Sequence, residues 1–288
     1  MITKTVKDYT TIFQIPKNEI AAIDFALCNQ PRETIDSYYA RQDIKPTLIC
    51  NGGFFNMSDG QTIFNFKDNG KFISRTDTPS YSEGMGVKDG NVLEFGKHTD
   101  PEYTDFICGY PVFVKDGREV ITNLGSEINY RARRTILAYD KDNVYLVLVD
   151  SPGLTFKMVK SLLIGTLKVD YAINLDGGGS TRCLYNGKVA VSSTYNRAVD
   201  NVICFYMKPE KVIYRVQVGA FSKKSNADAL QEKIRKLPDS IGAGYANAYV
   251  RQINNLYKVQ VGAFGKKENA QKVVNDLKSK GYEPFIAK

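Results

Sequence analysis

Arg215-Val-Gln-Val-Gly-Ala-Phe221 returns as Lys258-Val-Gln-Val-Gly-Ala-Phe264. The match continues with Lys223-Lys224 against Lys266-Lys267 and Asn226-Ala227 against Asn269-Ala270. Repetition at this period marks one supersecondary unit used twice. Each copy opens with alternating apolar residues (Tyr214, Val216, Val218; Tyr257, Val259, Val261), the period of a half-buried strand. Each then changes to helical spacing: Ala229, Leu230, Ile234 and Leu237 in the first, Ala270, Val273, Val274 and Leu277 in the second. Gly281 stands where a glycine would end the second helix. Residues 245–253 and 282–287 supply two more strands. The predicted order is β-α-β-β-α-β, a small ferredoxin-like domain over 211–288 with one sheet face free of helices.

The remaining 1–210 is long enough for a domain of its own, and 288 residues with 43% hydrophobic and 24% charged content suit a two-domain globular protein. Charge divides the same way. Residues 211–288 carry 15 Lys and Arg against 6 Asp and Glu, whereas 1–210 carries 24 against 25. The C-terminal part therefore suits an anionic or polysaccharide partner. No apolar run of 18 residues exists, so no membrane insertion is expected. The polar start, Met1 to Thr11, has no basic-then-apolar leader, so synthesis in the cytoplasm is expected. Cys28, Cys50, Cys108, Cys183 and Cys204 are odd in number and lack paired spacing, which points to small buried hydrophobes in a reducing birthplace. His98 is the only histidine and no Cys-x-x-Cys occurs, so a zinc site is not expected. No cofactor is predicted, and a divalent cation stays open.

Short apolar runs at 20–27, 47–50, 109–114, 135–139, 144–149, 171–175 and 202–206 read as strands, with Asp89-Gly90, Asp116-Gly117 and Asn186-Gly187 as hairpin turns. Thr155 caps a predicted helix over 156–167, with Met158, Val159, Leu162, Leu163 and Leu167 on one stripe. The whole chain is α+β: a β-rich N-terminal domain with few helices, then the ferredoxin-like unit.

Three polar clusters adjoin predicted strands: Asn51-Gly52-Gly53-Phe54-Phe55, Arg131-Ala-Arg133-Arg134-Thr135, and Asn174-Leu-Asp176-Gly177-Gly178-Gly-Ser180-Thr181. Consecutive glycines let backbone N–H groups approach a ligand, and such loops form anion-binding concavities. Ser180 and Thr181 add hydroxyls, Arg134 offers a bidentate fork to a phosphate, and Asp176 is an acid at a strand end. The residues alone predict an anion or sugar-phosphate site. Neither glycine loop has the Walker or dinucleotide spacing.

Taken together, these clusters resemble the phosphodiester glycosidase family over roughly 47–206. The resemblance is carried by Asn51-Gly-Gly-Phe-Phe55, Gly109-Tyr-Pro-Val-Phe-Val-Lys-Asp-Gly117, Arg134-Thr135, Asp150 followed by Gly153-Leu-Thr155, Asn174-Leu-Asp-Gly-Gly-Gly-Ser180, and Asn196-Arg197-Ala-Val-Asp-Asn201. Asp150 is followed by Ser151-Pro152 where the family has Gly-Arg, and Arg134-Thr135 by Ile-Leu-Ala in place of Ala-Ile-Gly. The resemblance implies a hydrolase that cleaves a glycosidic bond, in a sugar-1-phosphodiester or a glycan. Asp176, Asp150 and Arg134 are then the expected catalytic residues, with Glu83 a spare carboxylate and Glu127 a surface acid. Asn51, Gly52, Gly177, Gly178, Ser180, Thr181 and Arg197 are expected to bind substrate.

The doubled Val-Gln-Val-Gly-Ala-Phe resembles the SPOR family, whose members bind peptidoglycan. Its free sheet face is expected to carry Gln217, Gly219 and Phe221 against Gln260, Gly262 and Phe264, according to strand parity. Gln217, Phe221, Gln260 and Phe264 suit a glycan, since amides bond hydroxyls and aromatic faces cover a pyranose. RNA binders use the same fold, but their aromatic-rich signature is missing, so nucleic acid is not the expected partner. The combined reading is a cell-wall hydrolase acting after lysis or release, either a phage endolysin or a mother-cell lytic enzyme. The alternatives are a non-enzymatic wall-binding protein and a cytoplasmic sugar-phosphate enzyme.

Overall fold

The computed structural model describes residues 1–120, 129–192, 195–209 and 212–287, so Glu127 lies outside the described residues. The chain divides into two compact units, Met1–Lys208 and Pro209–Lys288.

Among the described residues the first unit holds three sheets. A seven-stranded sheet runs in the order Thr3–Lys7, Thr10–Pro16, Asn143–Leu154, Ala132–Tyr139, Tyr171–Asn174, Val112–Lys115, Arg118–Glu119. A five-stranded sheet runs Lys188–Val191, Cys183–Tyr185, Leu48–Asn51, Asn201–Met207, Ile20–Leu27. The third has Lys71–Ser74, Phe66–Asp68, Asp105–Ile107, Glu83–Lys88 and Val92–Lys97. Period-two alternation explains the central strands of the first sheet. Val144, Leu146 and Leu148 face the main core, which also takes Phe25, Leu48, Phe66 and Met85 from the other two sheets. Tyr145, Val147 and Val149 face the opposite way, onto Phe156, Val159 and Leu163. Both faces are covered, so these strands are apolar throughout. The covering segment is a helix at Phe156–Ser161 that widens into a π-helical turn at Leu162–Leu167. Thr155 caps it as predicted, its Oγ1 accepting from the Met158 N–H at 3.3 Å. Met158, expected on the buried stripe, is exposed, and Phe156 takes the buried place. All five cysteines are free and buried.

The second unit is β-α-β-β-α-β: Tyr214–Phe221, helix Lys224–Arg235, Tyr249–Ile253, Leu256–Phe264, helix Lys267–Ser279, Phe285–Ala287. Its sheet order is 249–253, 256–264, 214–221, 285–287, antiparallel throughout. Val216 and Val261 pack against Ile234, Ala270, Val273, Val274 and Leu277 from the helices. Ala229, assigned to the first helix's buried face, is exposed, and Ala227 is buried there instead. Among the described residues no helix is long and apolar enough to cross a membrane.

Candidate functional site

The site forms where the seven-stranded sheet and the 48–51 sheet come together at their strand ends. After strand 171–174 the chain changes partners: the Leu175 N–H donates to the Thr135 carbonyl at 2.8 Å, and the next one, of Asp176, donates to the Gly52 carbonyl at 3.2 Å. Asp176 thus sits on the seam. Asn51 ties that seam from below. Its Nδ2 donates to the Asp176 carbonyl at 2.7 Å, and its Oδ1 accepts from Thr135 Oγ1 at 2.9 Å and the Arg182 N–H at 3.2 Å. With 1% of its surface exposed, Asn51 holds the loop in place through these contacts.

The glycines are set by close approach. A Cβ on Gly52 would lie 2.1 Å from Asn201 Oδ1, the atom that accepts from the Gly53 N–H at 2.7 Å. A Cβ on Gly177 would lie 2.5 Å from the Arg133 carbonyl. Gly178 is exposed at a positive φ of 57°, and Thr181 is fully buried, its hydroxyl 3.4 Å from Thr135 Oγ1.

Asp176 as a residue keeps some exposed surface, yet its carboxyl lies deep enough that burial pushes its pKa up to about 6. Three neighbours pull the other way: the Ser180 hydroxyl, the Gly177 N–H (2.9 Å from Oδ1) and the charge of Arg197. Ser180 Oγ is buried and makes no hydrogen bond of ordinary geometry, although it faces the carboxyl closely enough to lower its pKa. Arg197 is exposed and lies over the loop, its Cζ 2.4 Å from where a Cβ on Gly179 would stand.

The other predicted residues are placed differently. Arg134 runs beside this loop in its backbone, but its guanidinium stacks on Phe156 at 4.0 Å and donates to the Tyr130 carbonyl at 2.9 Å. Burial lowers its pKa. The charge that bears on Asp176 is that of Arg197. Asp150, the expected second carboxylate, is paired with Arg133 at 3.2 Å and accepts from the Ser151 N–H at 2.7 Å. Glu83 is held by Lys115 at 2.8 Å. Arg133, Thr135, Arg182 and Asn201 build the site's frame and were not singled out individually by the sequence. Their signal was the position of each in or beside the quoted motifs. Among the described residues no group of three or more His, Cys, Asp or Glu is placed to hold a metal ion.

In the C-terminal unit, direct cross-strand partners form a row over all four strands: Phe285 opposes Gln217, Gln217 opposes Gln260, and Gln260 opposes Tyr249. Directly opposed residues share a face, and this one is opposite the helices. Phe285 is 54% exposed, and the buried Gln260 Oε1 has no partner. Phe221 and Phe264 do not join the row. A bulge between Gln217 and Gly219, and another between Val261 and Phe264, reverse the parity of the residues beyond them. Phe264 packs against the helix-side core, and Phe221 lies with Leu230 over Gly219.

The family model for phosphodiester glycosidase matches residues 45–206, more than half the chain, and the SPOR domain model matches 210–288. The mouse (Mus musculus) N-acetylglucosamine-1-phosphodiester alpha-N-acetylglucosaminidase is 24% identical over 169 residues, 50% of this chain and 32% of that protein. The chain thus matches about a third of the length of that curated relative. The catalytic domain of the zebrafish enzyme of the same name, auto-inhibited by its pro-peptide, superposes with a TM-score of 0.57 at 20% identity, covering 72% of this chain and 82% of that one. The peptidoglycan binding domain of a B. subtilis cell wall lytic enzyme is 32% identical, covering 28% of this chain and 92% of that one, with a TM-score of 0.22.

Proposed function

Because the chain belongs to the phosphodiester glycosidase family, we propose that it hydrolyses the bond between an anomeric carbon and a phosphodiester oxygen in a cell-wall polymer, while its SPOR domain holds it on peptidoglycan. The observation that carries this reading is the deeply set carboxyl of Asp176, with a pKa of about 6 beside Arg197; the buried Asp200 carboxylate is taken up by Gln30, Thr62 and Asn201. Glycan cleavage commonly needs two carboxyl groups, one to protonate a strongly basic alkoxide leaving group. A phosphate leaves as a weakly basic anion and needs no such acid. With Asp150 paired to Arg133 and Glu83 to Lys115, the arrangement favours the phosphodiester over the glycan.

In this mechanism Asp176, ionised near neutral pH, takes a proton from water as the water oxygen bonds to the anomeric carbon. The C–O bond breaks and its electron pair stays on the phosphate oxygen. Arg197 stabilises the charge gathering there. Mass spectrometry of products released from defined teichoic-acid and peptidoglycan substrates tests the reading: a free reducing sugar plus a phosphomonoester supports it, and cleavage only between sugars refutes it. Arg197→Ala should raise KM and, by removing a charge that favours the carboxylate, move the acid limb of the pH–rate profile upward. An unmoved limb with unchanged KM would mean that Arg197 does not serve this site.

The wall-binding half rests on the SPOR domain match and on the ends of the Phe285–Gln217–Gln260–Tyr249 row: Gln217 and Gln260 are buried, while the exposed Phe285 and half-buried Tyr249 can cover a sugar face. Phe285→Ala with Tyr249→Ala should weaken co-sedimentation of the full chain with purified sacculi about tenfold, an aromatic contact being worth about 0.5–1.5 kcal/mol. Salt should weaken it only in part, because such contacts are not screened as ion pairs are. Binding that survives the double variant and vanishes at modest salt would replace sugar recognition with plain charge attraction. Action at the wall after lysis or release remains part of this proposal; a secretion signal cleaved from the native product would remove it.

A further inference from the structure

Four aromatic rings run in file beside the Asp176 loop. Phe54 meets Phe64 edge-on at 5.2 Å, Phe64 stacks on Tyr81 at 4.1 Å, and Tyr81 meets Tyr110 edge-on at 5.8 Å. All four are half-buried. Phe64 and Tyr81 rest on Tyr103, Phe106 and Cys108, which fixes the middle of the file.

Both ends are tied to the loop that carries the carboxyl. Phe54 is two residues past Gly52, whose carbonyl accepts from the Asp176 N–H. Tyr110 donates its N–H to the Asn174 carbonyl at 2.8 Å, and its own carbonyl accepts from Asn174 Nδ2, also at 2.8 Å. That second bond fixes which way the Asn174 amide points. Its other atom, Oδ1, is an acceptor without a partner on a side chain that is 3% exposed. Buried acceptors are normally satisfied, and one left open beside a candidate site calls for a donor from a ligand. Ligand sites combine aromatic walls with a few placed polar groups, and this corner has both.

We propose that the file Phe54–Phe64–Tyr81–Tyr110 is the sugar subsite of the Asp176 centre: it takes the apolar face of a pyranose whose N–H or O–H donor meets Asn174 Oδ1. The inference rests on the sugar-phosphodiester reading above and adds the element that distinguishes a sugar phosphate from a bare phosphate. Stacking supplies area to the sugar, and Arg197 supplies charge to the phosphate, so the two contributions are separable.

Titration calorimetry on the full chain separates them, with N-acetylglucosamine 1-phosphate, glucose 1-phosphate and inorganic phosphate as probes. Both sugar phosphates should bind more tightly than inorganic phosphate. Tyr81→Ala should weaken the sugar phosphates by about tenfold, the scale of an aromatic contact, and leave inorganic phosphate unchanged. Tyr81→Phe should keep the unmodified affinity. Phe54→Leu, at the outer end of the file, gives a second test, and thermal melts establish that each variant is folded. Preference for the N-acetyl sugar assigns the donor to its amide N–H; equal affinity assigns it to a hydroxyl. If folded Tyr81→Ala and Phe54→Leu bind the sugar phosphates as the unmodified chain does, the file is structural and the subsite is refuted while the phosphodiester reading stands. If no sugar phosphate binds better than inorganic phosphate, both fall.

Discussion

Asp176→Asn should lower kcat by a factor of about 10² or more, the usual scale for a positioned base, and at the same time raise the melting temperature. The two effects have one cause. Burial holds the folded pKa at about 6, above the ordinary carboxyl value of 3.8. Between those values the folded chain binds a proton that the unfolded chain has lost, so stability falls as pH rises through this window. The loss is complete above the folded pKa and amounts to at most about 3 kcal/mol at pH 7, from about 1.4 kcal/mol for each pH unit between the two pKa values. Asparagine keeps an oxygen for the Gly177 N–H and carries no charge to bury, so it removes this penalty. In a domain of this size 1 kcal/mol corresponds to about 2–4 °C. Activity should fall as pH drops below about 6, where the carboxyl takes up its proton. Calorimetric melts at pH 4 and pH 7 with a pH–rate profile check all three. A variant melting lower than the unmodified chain at pH 7, or activity that rises on acidification, would remove Asp176 from the role of buried base.

A buried carboxyl with a raised pKa is a candidate for chemistry, and Asp176 stands in a loop that the sequence singles out. The Asn174–Thr181 loop was legible because consecutive glycines next to an acid at a strand end have few structural uses. The doubled Val-Gln-Val-Gly-Ala-Phe was legible because repetition is independent of any propensity. What could not be read was direction. Arg134 lies in a basic cluster interrupted only by Ala132, but the strand is irregular between Ala132 and Arg134, and its guanidinium goes to Phe156 while Arg133 goes to Asp150. Phe221 and Phe264 fail for the same reason: one extra residue in each strand turns them from the free face to the helix side. A period of two predicts a face only until the first bulge. The aromatic file is a different case, since Phe54, Phe64, Tyr81 and Tyr110 are spread over 57 residues of sequence, from 54 to 110 inclusive, and meet only in the fold.

Asn51→Ala should be the most damaging single change to the first unit. The side chain is shared among three elements: its Nδ2 serves the Asp176 carbonyl, and its Oδ1 serves Thr135 and the Arg182 N–H. Truncation leaves three polar groups without their partner in a place water reaches poorly. Each such group costs about 1–3 kcal/mol. Their neighbours relax together, so the sum is not additive, and about 4 kcal/mol is expected. That corresponds to a fall of roughly 10 °C in Tm. Asn51→Asp separates the contacts. It keeps an acceptor for Thr135 and Arg182 but sets a second oxygen against the Asp176 carbonyl, so it should release the loop selectively. Hydrogen exchange would then show Asp176 and Gly177 losing protection while strand 132–139 keeps it, and kcat would fall with little change in KM. Equal loss of protection in the loop and the strand would mean that Asn51 is a general core contact and has no special hold on the carboxylate.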